Sequence, residues 1–344
     1  MIVQKIDNEI LLAASAEIGT LGIKHLKRYW QKCQLKKINK LDAGAFAEEW
    51  NNDITLLAAL GLGLEQTIKY VYNHAQSFEA FEKWILTINN HTLNEEKIKI
   101  FNASITVDYL PNGSLIEKVL TTTDIDFWNK NGYVIVRNAI SITDCKATVA
   151  LICNFLDIDE EDALTWYNPS EHKQGIMVQL FQDAQLEKNR QSVKIRKAYE
   201  QLWQRKDIWV NADRVGFNPP ETNGWKFPGP NLHWDVSLAQ PIPFGLQGIL
   251  YLTDTKANQG AFSLVPGFHN KIDKWLNDLP AGVHPRNENL YELGIKGIEA
   301  NAGDFIIWHQ ALPHGSSVNT SDKPRFVQYI NYAPIDAAVS NKWI

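Results

Sequence analysis

Between Trp209 and Pro334 the chain is a succession of short apolar stretches, WVNADRVGF, NLHWDVSL, FGLQGILYLTD, AFSLVPG, GDFIIWH and RFVQYINYAP, separated by turn-forming Gly, Pro and Asn. They are strand-length and rich in β-branched and aromatic residues, which suit a pleated, packed surface. Several short strands with turn signals between them predict a sandwich or barrel. This half of the chain therefore reads as mainly β.

The first half has a different period. In AFAEEWNNDITLLAALGLGLEQTIKYVYNH the apolar residues recur every three or four positions, with Gly61 and Gly63 breaking the run into two helices. Ser77 reads as the N-cap of FEAFEKWILTIN, and Thr92 with Glu95 fits a capping box before EEKIKIF. ITVDYL and the turn from Leu110 to Gly113 suggest a short strand and a linker. The expectation is a helical region over residues 1–115 and a β-rich domain over 116–344. That domain opens with a capped helix in TTTDIDFWNKNG, a strand in YVIVRNAI, a helix in SITDCKATVALICNFL and another from about Arg190 to Trp203. The basic stretch from Lys24 to Lys37 reads as a solvated helix face, with a docking surface as the alternative.

Of 344 residues, 44% are hydrophobic and 21% charged, enough to bury a sizeable core, and the net charge of -5 offers no attraction for nucleic acid or anionic membrane. Cys33, Cys145 and Cys153 lack CxxC spacing, which argues against a disulfide framework. The N-terminal sequence has no signal-peptide pattern and no apolar run is long enough to span a bilayer, so a cytoplasmic location is expected. Six of the tryptophans, among them Trp234 and Trp308, lie near the stretches that carry the chemistry, a hint of an aromatic-walled pocket.

If NLHWDVSL is a strand, His233 and Asp235 share one face and Trp234 takes the other. Downstream, GDFIIWHQALPHGSSVNTSDKPRFVQY offers His309, His314 and Arg325. Two imidazoles and one carboxylate make the facial triad of non-haem Fe(II) oxygenases, with three coordination positions left open. A 2-oxo acid can fill two of them, and an arginine is suited to hold its far carboxylate.

These blocks, from FWNKNGYVIVRNAI (Phe127 to Ile140) through LHWD and YLTDTKANQGAFSLVPGFH (Tyr251 to His269) to HGSSVNTSDKPR (His314 to Arg325), resemble the phytanoyl-CoA dioxygenase family of Fe(II)/2-oxoglutarate oxygenases. The resemblance covers roughly the last two-thirds of the chain. It implies a double-stranded β-helix, a cupin-type jelly roll, with Fe(II), 2-oxoglutarate and O2 as cofactor and co-substrates. Position by position it implies His233, Asp235 and His314 as iron ligands, Arg325 on the C5 carboxylate and Ser316 as a second 2-oxoglutarate contact. It prefers His314 to His309, because the family's distal histidine opens a His-Gly-Ser eleven positions before its arginine, 325 minus 314 here. His309 is then a supporting residue. Tyr251, Gln247 and Gln179 are further candidates to line the co-substrate pocket, and His269 is structural.

The implied activity is hydroxylation of an unactivated C–H of a small molecule, free or CoA- or carrier-linked, with release of succinate and CO2. Halogenases of this fold replace the carboxylate ligand with a small residue, so Asp235 favours hydroxylation. Arg286 and nearby tryptophans are candidates for selecting an anionic or aromatic substrate. The helical region, which short family members lack, is a candidate lid, oligomerisation element or docking surface. Two other readings stay open: a hydrolase or isomerase using another divalent metal on the same ligands, and a non-catalytic jelly-roll binding protein.

Overall fold

The structure is a computed structural model that describes residues 12–42, 44–105, 116–340 and 342–344. The chain divides into two compact units, Met1–Leu110 and Pro111–Ile344. The strand and turn expected over ITVDYL and Leu110 to Gly113, and the boundary at 115, lie outside the described residues, apart from Ile105 at the end of a helix. No helix among the described residues is long and apolar enough to cross a membrane.

The first unit is helical: α1 (Leu26–Lys37), α2 (Trp50–Ala59), α3 (Leu64–Asn73), α4 (Phe78–Ile88) and α5 (Glu95–Ser104). The break between α2 and α3 falls at Gly61, whose φ of 64° is left-handed and open to glycine at no steric cost. Ser77 caps α4, its hydroxyl accepting from the Ala80 amide. The cap of α5 is Asn94 rather than Thr92: the Asn94 side chain accepts from the Lys97 amide, while the Thr92 hydroxyl turns back to the Asn90 carbonyl. The basic helix α1 is not simply a solvated face. Lys32 is buried, its ammonium 2.8 Å from Glu49 Oε2 and 2.7 Å from Asp53 Oδ1, and Arg28 pairs with Glu49 at 2.7 Å. A buried ammonium must be paired, which is why this stretch turns part of its charge inward.

The second unit runs α6 (Thr122–Asn131), β1 (Tyr133–Val136), α7 (Ile142–Leu156), β2 (Lys173–Gln174), β3 (Met177–Val178), α8 (Ala184–Arg190), α9 (Val193–Trp203), β4 (Ile208–Val210), β5 (Val215–Asn218), β6 (Leu246–Tyr251), β7 (Phe262–Leu264), α10 (Ile272–Asp278), β8 (Lys296–Gly297), β9 (Phe305–His309), β10 (His314–Ser316), β11 (Arg325–Tyr329) and β12 (Tyr332–Pro334). Thr121 and Ser141 cap α6 and α7 as expected, whereas Arg190 closes α8 and α9 starts only after Ser192.

All strand pairs are antiparallel. One sheet has the order β1-β9-β6-β11-β5-β3-β2, a second β10-β7-β8, and β12 pairs with β4. The larger sheet is covered on both sides, so β5, β9 and β11 are buried at consecutive positions rather than at alternate ones. One face, with Ile249, Tyr251, Ile306, Trp308 and Val327, packs with Phe262 and Leu264 of the smaller sheet. The other, with Leu250, Phe305, Ile307 and Phe326, packs against Val149 and Ile152 of α7 and Ile195 and Tyr199 of α9. This is a double-stranded β-helix backed by helices.

Three stretches differ from their reading as single strands. WVNADRVGF and RFVQYINYAP each divide between two sheets, as β4 and β5 and as β11 and β12. NLHWDVSL is not a strand: only His233 within it pairs, by an isolated bridge to His314.

Candidate metal centre

The site is built on β10 and the irregular segment beside it. The amide of His233 donates to the His314 carbonyl over 2.9 Å, and the His314 amide donates back to the His233 carbonyl over 3.0 Å. This two-way backbone bridge brings the imidazoles together across the fold, their ring centroids 4.8 Å apart. Each ring is then oriented by a carbonyl. His233 Nδ1 lies 2.7 Å from the Asn231 carbonyl and His314 Nδ1 3.0 Å from that of Leu312. A carbonyl only accepts, so both Nδ1 atoms carry the proton and both Nε2 lone pairs are free in the neutral rings.

Both Nε2 atoms face Asp235, His233 at 3.3 Å from Oδ1 and His314 at 3.2 Å from Oδ2. Ligand atoms of the three residues all lie within 4.8 Å of one another. Desolvation works to raise the Asp235 carboxyl, but the His233 and His314 side chains that face it hold it well below the usual carboxylate range. Desolvation likewise opposes charge on His233, and Asp235 outweighs it and shifts the ring upward. Three groups with lone pairs converging in this way need a positive charge among them. A divalent cation of borderline character supplies it, and two imidazoles with a carboxylate are the donor set such a cation takes. The residues fit Fe(II).

Trp234 turns away from the site, its indole N–H donating to the Ala311 carbonyl over 3.0 Å and its ring packing near Phe268 and Trp275. Alternation holds here without a strand.

The other expected residues take distinct places. Arg325 is fully buried on β11; its Nη2 donates to Ser316 Oγ over 3.0 Å, while Nε and Nη1 have no partner among the described residues. Ser316 and His314 lie two apart on β10 and so share a face. Ser316 thus links the guanidinium to the face of β10 that carries His314, and an anion is what such a buried cation lacks. Tyr251 donates to the Ile298 carbonyl over 2.9 Å and accepts from the Phe262 amide over 2.8 Å. Burial pushes its hydroxyl up to about 12 although Arg325 pulls the other way, so it is neutral. Gln247 is brought to Asp235 itself, its amide donating to Oδ2 over 2.7 Å, and its carbonyl accepts from the Trp308 indole over 3.1 Å. Gln179 follows β3, and its buried Nε2 has no partner among the described residues.

His309 ends β9, outside the triad. Its Nδ1 accepts from the Ala311 amide, and its ring lies 5.3 Å from those of His269 and Phe244. Burial, reinforced by His269, pushes it down to about 4. Sequence reasoning missed the carbonyls of Asn231 and Leu312 and the Trp308–Gln247 link. Only the last has a sequence-level signal, since a buried indole N–H seeks a partner.

Comparison with known proteins finds relatives of the chain. The family profile described as Phytanoyl-CoA dioxygenase (PhyH) matches residues 128–327, more than half of the chain. A Dictyostelium discoideum protein named "Putative phytanoyl-CoA dioxygenase" is 24% identical over 269 residues, 63% of this chain and 77% of its own. The ectoine dioxygenase of Halomonas elongata is 26% identical over 144 residues, 36% of this chain and 42% of that protein, so the match spans under half of its length. Among solved structures, EctD from S. alaskensis with bound Fe superimposes with a TM-score of 0.48 at 15% identity, covering 66% of this chain and 81% of the other.

Proposed function

The chain belongs to the phytanoyl-CoA dioxygenase family, and we propose that it is an Fe(II)/2-oxoglutarate-dependent dioxygenase that hydroxylates an unactivated C–H of a small molecule. The observation that carries this reading is Arg325, a fully buried guanidinium with two nitrogens that have no partner among the described residues and a third held by Ser316. Hydrolysis or isomerisation on the same ligands has no use for such an anchor. A non-catalytic binding protein has no need of the full donor set.

In this reading His233 and His314 bind iron through Nε2 and Asp235 through a carboxylate oxygen, while Arg325 and Ser316 take the far carboxylate of 2-oxoglutarate. When bound, iron and 2-oxoglutarate supply the oxidation of a C–H bond by dioxygen, with succinate and CO2 released. The chain's own residues prepare the site. The carbonyls of Asn231 and Leu312 keep both Nε2 lone pairs directed inward, as oriented metal-binding histidines require. Gln247 holds the Asp235 carboxylate, and the neutral Tyr251 hydroxyl, fixed by its bonds to Ile298 and Phe262, forms a wall near the Arg325 charge. Phe262 and Trp308, 4.2 Å apart and both packed on His314, give an apolar flank that sheds water. The unpaired Gln179 amide is a further contact for co-substrate or substrate.

The carboxylate at 235 supports hydroxylation over halogenation. Residues 116–344 are the catalytic domain in this reading, and the helical region before them is an accessory unit for lid, oligomer or carrier contacts. The three buried, unpaired cysteines support a reducing, cytoplasmic setting.

The direct test is anaerobic addition of Fe(II) and 2-oxoglutarate, which should give the weak visible charge-transfer band of the chelate. Screening acids, their CoA esters and other small molecules for stimulated succinate release under air then identifies the substrate. Lack of both the band and succinate would sink the reading.

A further inference from the structure

Asp235 sits in backbone that belongs to no strand, since pairing stops at His233. The carbonyls around it still need donors. Arg286 provides them: its Nη1 donates to the Trp234 carbonyl over 2.7 Å and its Nη2 to the Val236 carbonyl over 2.6 Å. One guanidinium thus grips the carbonyls of the two residues that flank Asp235. Its Nε donates to the Ile344 carbonyl over 3.1 Å, and its plane lies 5.0 Å from the Trp343 ring.

The Ile344 end is tied to the same loop a second time. The Ile344 amide donates to Ser237 Oγ over 3.1 Å, the Leu238 amide donates to the Ile344 carbonyl over 3.3 Å, and the Ser237 hydroxyl donates to the Lys342 carbonyl over 2.5 Å. Residues 342–344 therefore lie along the Asp235 loop as a strap, with Arg286 as the cross-link. Only a planar fork of N–H groups can hold three carbonyls in fixed directions; an ammonium is a point charge on a flexible stem.

We propose that Arg286 is a positioning residue of the metal centre, directing the Asp235 carboxylate by holding the carbonyls on either side of it and enlisting Lys342–Ile344 as support. This rests on the reading of His233, Asp235 and His314 as metal ligands. The three bonds to backbone also give Arg286 a task other than selecting the substrate.

The test titrates the full chain with Co(II), following its visible ligand-field absorption, in wild type, Arg286→Ala, Arg286→Lys, Ser237→Ala and Asp235→Ala, and measures amide hydrogen exchange before metal is added. Arg286→Ala should weaken Co(II) binding by about tenfold or more, the usual effect of losing an outer partner of a metal ligand. Arg286→Lys should fail to restore it, and Ser237→Ala, which frees the strap but keeps the fork, should show a smaller loss. The Leu238 amide should exchange faster in all three. Should Arg286→Ala not fold, Arg286→Lys and Ser237→Ala carry the same comparison. Wild-type affinity and absorption in Arg286→Lys, beside lost binding in Asp235→Ala, overturn the proposal alone. Wild-type binding in Asp235→Ala overturns the metal-ligand reading, and the proposal with it.

Discussion

The side-chain amide of Gln247 donates to Oδ2 of Asp235 over 2.7 Å, and the indole of Trp308 donates to the Gln247 carbonyl over 3.1 Å, so the carboxylate is held by a side chain whose own rotamer is held. The expected ligand is thereby aimed before any metal arrives. Replacing Gln247 with Ala should leave the fold intact and lower Fe(II) or Co(II) affinity by about 10- to 100-fold, read by calorimetric titration. Unchanged affinity would assign Gln247 to the pocket wall instead.

Arg325 should control 2-oxoglutarate rather than iron. Losing a hydrogen bond to a charged group costs about 1.5–3 kcal/mol, which is roughly 10- to 150-fold in affinity. Arg325→Lys should accordingly raise the KM for 2-oxoglutarate by about that factor, with Co(II) binding near that of wild type. Succinate formation against 2-oxoglutarate concentration measures the first and absorption titration the second.

The two downstream histidines should separate cleanly. His314→Ala, like Asp235→Ala, should abolish succinate formation, because His314 Nε2 faces Asp235 at 3.2 Å. His309→Ala should retain activity, since its Nδ1 is engaged by the Ala311 amide and its ring lies against Phe244 and His269. Equal loss in both would reopen the choice of distal ligand.

The same His309 predicts a pH dependence of stability. Burial, with a contribution from His269, lowers its folded pKa to about 4 from an ordinary value of 6.5. Between those values the unfolded chain binds the proton and the folded chain does not, so stability is complete above about 6.5 and falls as the pH drops toward 4. His269 is shifted in the same direction by burial and adds to the trend. The upward-shifted His233 works against this trend, so the readout is the difference between variants. Thermal denaturation of metal-free protein from pH 7 to pH 5 should show the Tm of His309→Gln rising relative to wild type as the pH falls. An unchanged slope in that variant would remove His309 as a source.

Much of the local structure was legible because its causes are local. Ser77, Thr121 and Ser141 cap helices by bonds to amides three residues on, and Gly61 breaks a helix by its own φ. Thr92 misled because Asn94, two positions later, offers an equally good acceptor at the true helix start. NLHWDVSL misled for another reason. Alternating burial reports only that neighbouring side chains face opposite ways, as Trp234 does against Asp235, and says nothing about whether the backbone finds a strand to pair with.

The amino-acid sequence alone determined the chemical identities at the candidate site, two imidazoles, a carboxylate and an arginine in a fixed order, because side-chain chemistry does not depend on the fold. Only the tertiary structure decided how they meet. Asp235 and His314 are 79 positions apart and approach because two backbone bonds lock His233 to His314. It also turned Gln247 onto the carboxylate, left two Arg325 nitrogens without a partner among the described residues and set Arg286 on the carbonyls either side of Asp235. The physical reason is that hydrogen-bond satisfaction in a buried interior is a property of the whole packed arrangement, so no single segment contains the information that selects its partners.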